Sequence, residues 1–143
     1  MNIEGAVVLI TGASSGIGRT AALAFDRAGA KVAMAARRRE NLEANAALMT
    51  NALVLPTDMA EERQAIAMVD KTVRHFGRID VLVNNAAAII VSRANEVRSE
   101  DLLLSFRTNV LGPVAATNRA VRYMRKQGYG HIINVGSPGF MIG

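Results

Sequence analysis

Eight consecutive residues, Thr11-Gly12-Ala13-Ser14-Ser15-Gly16-Ile17-Gly18, interleave three glycines with hydroxyl side chains. The chemistry such a run can do is to hold a phosphate. Glycine at position 12 allows a tight turn, and the absence of Cβ at Gly16 and Gly18 lets backbone and ligand come close. A helix starting behind the turn would present free N–H groups and a partial positive charge, a seat for a pyrophosphate. Ser14 and Ser15 add hydroxyl donors. The flanks fit this use. The apolar run Val7-Val8-Leu9-Ile10 precedes the turn, and Ile17, Ala21, Ala24, Phe25 and Ala28 follow it at helical spacing. Glycine spacing alone also describes an ordinary loop. A strand, a glycine turn and a helix in that order describe the opening of a dinucleotide-binding unit.

The rest of the chain repeats the alternation. Strands are predicted at Ala6–Ile10, Lys31–Ala35, Ala52–Leu55, Val81–Val83 and His131–Val135. Helices are predicted at Gly16–Ala28, Arg38–Met49 and Glu61–Phe76, with a long one from Ser99 to Lys126. Gly112-Pro113 should kink that last helix, and Leu103, Phe106 and Val110 mark its expected buried face. Strands alternating with helices give an α/β, Rossmann-type doubly wound parallel sheet with the expected order 3-2-1-4-5. Ligands of such a sheet bind at its carboxyl edge, near strands one and four.

Composition narrows the function classes. The chain has 143 residues, half of them hydrophobic, which suits one domain, 1–143, with a real core. No apolar run is long enough to span a membrane, and the first residues do not read as a secretory leader. With 0 Cys and 2 His, disulfides and thiolate metal sites are excluded and no metal is expected. These features together give the expectation of a cytoplasmic protein. The net charge of +5 comes with Arg37-Arg38-Arg39 and a second cluster of Arg122, Arg125 and Lys126. Cations at helix ends and around an anionic cofactor explain it better than nucleic-acid binding, because only 4% of residues are aromatic.

The Thr11-Gly-x-x-x-Gly-x-Gly18 spacing, Asn84-Asn85-Ala86-Ala87, Asn109 and Ile132-Ile133-Asn134-Val135-Gly136-Ser137 occur in one order along the chain. Together they resemble the short-chain dehydrogenase/reductase family. The resemblance implies that Thr11, Gly12, Gly16 and Gly18 form the phosphate turn, lined by Ser14, Ser15 and Ile17. It implies that Asp58 meets the adenine amino group and Met59 the adenine ring; capping of the helix that follows is the lesser alternative for Asp58, and the two roles are compatible. Asn85, Ala86 and Ala87 match the segment along the cofactor ribose, where the family usually has Gly in place of Ala87. Ser137 matches the serine that polarises a substrate carbonyl or alcohol during hydride transfer, and Asn109 the residue that holds a water in the proton relay. Phe140 stands where the family commonly has Gly.

Cofactor choice follows from charge. An acidic residue at the end of the second strand would bind ribose hydroxyls and repel a 2′-phosphate. Ala36 falls there, followed by Arg37 and Arg38. A neutral residue followed by cations favours NADP(H) over NAD(H). The family also implies a Tyr and a Lys four residues after it, beyond Ser137. Tyr123 and Tyr129 both precede Ser137, and Gln127 and Ile133 stand four residues after them. The expectation is therefore the cofactor-binding part of an oxidoreductase acting on a small carbonyl or alcohol substrate. The sheet would be incomplete at its C-terminal edge, with an apolar flank left uncovered, and the family's habit is a homo-oligomer. A non-catalytic NADP(H)-binding or sensing module is the alternative.

Overall fold

Residues 7–10 are apolar on both sides of the pleat, which suits a strand covered on both faces. They form, with Thr11, the central strand β1 (Val7–Thr11), buried throughout. The computed structural model describes residues 2–93 and 95–137. In chain order the elements are β1, α1 (Gly16–Arg27), β2 (Lys31–Ala36), α2 (Arg39–Ala46), β3 (Ala52–Pro56), α3 (Glu62–Phe76), β4 (Val81–Asn84), α4 (Ser99–Phe106), a π-helical turn (Arg107–Leu111), α5 (Gly112–Gln127) and β5 (His131–Asn134). The strands make one parallel sheet in the order β3-β2-β1-β4-β5.

The period-2 alternation of a strand divides the core in two. Val8 and Ile10 of β1 join Val32, Met34, Val81 and Val83 on the face covered by Ala22 of α1 and Leu42 of α2. Leu9 joins Ala33, Ala35, Leu55 and Leu82 on the face covered by Met68 and Val69 of α3 and by Ala116 and Ala120 of α5. Small residues on α5 let that helix sit close to the sheet. Burying each of the larger side chains contributes about 1.5–3 kcal/mol relative to leaving it exposed.

Two polar clusters fix the frame away from the carboxyl edge. At the opposite edge the buried Asp80 carboxylate accepts the Val7 N–H at 2.8 Å and the Arg78 Nε–H at 2.9 Å. Between α3 and α5, Asp70 accepts hydrogen bonds from Arg119 at 2.5 Å and from the Tyr123 hydroxyl at 2.8 Å. Burial pushes the Asp70 carboxyl up, but the hydrogen bonds from Arg119 and Tyr123 and the charges of Arg119 and Arg74 outweigh it and hold it below the ordinary value. The same hydrogen bond to Asp70 raises the Tyr123 phenol.

Two sequence expectations change. The helix interruption is not a kink at Gly112-Pro113 but a π-helical turn just before it, and Gly112 keeps helical dihedrals. Pro113 has no N–H to give to the Asn109 carbonyl, and its ring crowds that carbonyl, so the preceding turn widens. The second correction concerns burial. Leu103, Phe106 and Val110 are 55%, 52% and 40% exposed, and α4 has no buried residue. Their apolar spacing is real, but no described element covers them.

Candidate nucleotide-binding cleft

At the carboxyl edge of the sheet, where β1 and β4 lead their connections to opposite faces, the chain opens a cleft of about 740 Å³. This is the switch point of a doubly wound sheet, where such folds keep their ligands. Gly12, Ser14 and Ser15 form one wall. Ala36, Arg37 and Arg38 come from the end of β2, Thr57, Asp58 and Met59 follow β3, and Asn85 to Ala88 follow β4.

The floor is a latch between β1 and the segment after β4. Thr11 is fully buried, and its Oγ1 donates to the Val83 carbonyl at 3.3 Å. The same oxygen accepts the N–H groups of Asn85 and Ala86 at 2.9 and 3.0 Å. Asn85 returns the contact, its Nδ2 donating to the Thr11 carbonyl at 2.9 Å. Thr11 is thus placed beneath the cleft rather than on its wall. The glycines share this task. A Cβ on Gly12 would lie 2.8 Å from Asn85 Nδ2 and 2.9 Å from Ala86 Cα, and one on Gly18 would collide with the Gly12 carbonyl oxygen. Their close approach is first of all to the chain itself. Gly16 differs: it has a φ of 55°, and nothing lies within 4 Å of where its Cβ would stand. The space in front of α1 is open there, and Ile17 beside it is 69% exposed. Ser15 is the N-cap residue of α1 but caps nothing with its side chain. Its Oγ accepts a hydrogen bond from Arg38 Nη2 at 3.3 Å instead.

Asp58 is half-buried, with Oδ1 accepting the Ala60 N–H at 3.0 Å. The capping alternative does not hold, since Glu61 occupies the N-cap of α3. Met59 is buried, and a Cβ on Gly112 would collide with its carbonyl oxygen, so the start of α5 is pressed against this wall. Ala87 substitutes for Gly without strain, because no described non-glycine residue has a positive φ. Asn109 lies in the π-helical turn and grips the chain after β4. Its Oδ1 accepts the Ala88 N–H at 2.8 Å and its Nδ2 donates to the Ala88 carbonyl at 2.9 Å and to Ser105 Oγ at 3.1 Å. Ser137 is exposed, three residues past β5 on the same edge of the sheet, and does not line the cleft. Phe140 lies outside the described residues.

Sequence reading missed several contributors. Thr57 is buried against the cleft. Ile89 and Ile90 give it an apolar lip together with Leu104, and Thr108 stands beside them. Asn45 holds the phosphate-type turn from behind. The signal for Asn45 was available: a polar residue among Leu42, Ala46 and Met49 on the apolar side of a helix asks for a buried partner. Among the described residues no group of His, Asp and Glu could hold a metal ion. No helix there is long and apolar enough to cross a membrane.

Comparison with known proteins agrees with this geometry. The family model for short chain dehydrogenases matches residues 6–141. An uncharacterized oxidoreductase from Thermotoga maritima is 42% identical over 147 residues, spanning 100% of this chain and 58% of that protein. A 3-oxoacyl-acyl-carrier-protein reductase from the same organism is 38% identical, with 96% of this chain and 57% of that protein covered. Among solved structures, a short-chain type dehydrogenase/reductase from Mycobacterium marinum superposes with a TM-score of 0.90 at 35% identity, over 99% of this chain and 59% of that one. The chain thus spans somewhat over half the length of these proteins. Fold, motif order and matched sequence agree, and the chain belongs to the short-chain dehydrogenase family.

Proposed function

We propose that the chain is the cofactor-binding part of an NADP(H)-dependent oxidoreductase that interconverts a small-molecule carbonyl and alcohol. The observation that carries this reading is the cleft, lined by Gly12, by Ser14 and Ser15 ahead of a helix start without a side-chain cap, and by two arginines from the end of β2. Its volume lies within the usual range for a small-molecule site, about 300–1,000 Å³. Bound there, a nicotinamide nucleotide would supply or accept the hydride.

The chain's own residues would hold it as follows. Backbone N–H groups of Gly16, Ile17 and Gly18 at the start of α1 receive the pyrophosphate, with the Ser14 and Ser15 hydroxyls beside them. Asp58 accepts from the adenine amino group, and Met59 packs on the ring. Asn85, Ala86 and Ala87 follow the ribose. Arg37 and Arg38 face the 2′-phosphate, which is why NADP(H) is preferred over NAD(H). Ala36 offers no carboxylate to oppose it. Ser137 polarises the substrate oxygen. Asn109 holds a water in the proton relay. We assign the whole protein to the cytoplasm as a homo-oligomer without nucleic acid.

The alternative is a non-catalytic NADP(H)-binding module. It draws on the tyrosines: Tyr123 is tied to Asp70 and Arg119 between α3 and α5 and does not line the cleft. Titration with NADPH and NADH followed by a carbonyl-reduction assay separates the readings. Binding with turnover supports the oxidoreductase; binding without turnover fits the module or a cofactor-binding part that needs the rest of its protein, and a Tyr-x-x-x-Lys pair found downstream of Gly143 decides for the oxidoreductase. If neither nucleotide binds, both fail.

A further inference from the structure

Asn45 is a polar residue at the end of α2 with only 6% of its surface exposed, and its hydrogen-bonding capacity is directed at the phosphate-type turn. Its Nδ2 donates to the Ala13 carbonyl at 3.2 Å and to the Ser14 carbonyl at 3.3 Å. Its Oδ1 accepts the Arg19 Nε–H at 2.7 Å, a charge-assisted bond. With Nε held, the terminal nitrogens of Arg19 make no hydrogen bond to protein among the described residues. Arg19 and Asn45 border a second hollow of about 540 Å³, next to the cleft and sharing Ser14 and Ser15 with it. On the other side of Ser15 stands Arg38, hydrogen-bonded to its hydroxyl. Ser15 therefore lies between the two hollows, with Arg38 of the β2–α2 connection bordering the cleft and Arg19 of α1 bordering the second hollow. One carboxylate, Glu40, borders the same hollow.

We propose that Asn45 is a positioning residue for cofactor selection: it holds the outer wall of the turn and keeps Arg19 beside Ser15 as a third cation for the 2′-phosphate, with Arg37 and Arg38. This rests on the NADP(H) reading above. A purely structural Asn45 would stabilise the turn without favouring one nucleotide. A positioning Asn45 changes the ratio of affinities, because NADH differs from NADPH only by that phosphate.

The test uses the purified protein, with NADPH and NADH dissociation constants measured by calorimetric titration and thermal unfolding followed alongside. Arg19→Met removes the cation and leaves Asn45 buried; the NADPH-over-NADH preference is expected to fall about tenfold with little change in unfolding temperature. Asn45→Leu leaves two turn carbonyls without donors, so it is expected to lower the unfolding temperature as well as the preference. If Arg37→Asp abolishes the preference while Arg19→Met leaves it intact, the third-cation assignment is overturned and the NADP(H) reading stands. If Asn45→Leu weakens both nucleotides equally, its role is structural only. If the parent protein does not discriminate at all, the 2′-phosphate reading fails and takes this inference with it.

Discussion

The two flanks of the sheet read alike in sequence and differ in the fold. Beside β1 and β2, apolar strand residues and apolar helix faces meet, and Val8, Ile10, Val32, Met34 and Leu42 are fully buried. On α4 and at the β5 edge the same patterning leads to exposure. Leu102, Leu103 and Phe106 of α4 are more than half exposed, and Ile133 of β5 is 43% exposed at the edge of the sheet. An apolar stripe states which face a helix wants covered, not what covers it. Most of the cleft's lining comes from the closed flank, and Leu104 and Thr108 are where the open flank reaches it.

The largest effect that sharpens this contrast is in the core. Leu82→Ala is expected to cost about 2–5 kcal/mol in a denaturant titration, because its site is closed on all sides. Gly18→Ala comes next. Its Cβ would meet the Gly12 carbonyl, so a loss of about 1–3 kcal/mol is expected together with weaker nucleotide binding. Asp70→Asn removes the hydrogen-bonded cluster between α3 and α5, at about 1 kcal/mol. The pH dependence has a defined sign. The Asp70 carboxyl is lowered from 3.8, so its contribution is present above that pH and lost as pH falls through the lower folded value. The Tyr123 phenol is raised from 10.0, so its contribution is present below that pH and lost on alkaline titration. The stability gap between parent and Asp70→Asn should therefore close on acidification. The smallest effect belongs to the open flank: Leu103→Ser is expected to change stability by no more than about 0.5 kcal/mol. A large loss there would mean that the flank is closed after all.

Much of the frame was legible in the sequence because it depends on local signals. Strand runs, glycine positions and the Arg37-Arg38 pair at the end of β2 follow from periodicity and residue type. What was not legible depends on three-dimensional neighbours. Thr11 is a buried latch because β4 delivers two N–H groups to it. The π-helical turn arises from the interplay of Pro113 with the Asn109 carbonyl one turn earlier. The exposure of Phe106 follows from which elements stand beside α4, which its own spacing cannot state.

The central claim is that the closed flank holds a nucleotide at the start of α1. Backbone amide NMR with added NADPH tests it most directly. The account predicts saturable shifts at Ser14 to Gly18, at Arg37 and Arg38 and at Asp58 and Met59, with Asp70 and Tyr123 between α3 and α5 unmoved. Shifts confined to the α3–α5 cluster, or no shift at Gly16 and Gly18, would contradict it.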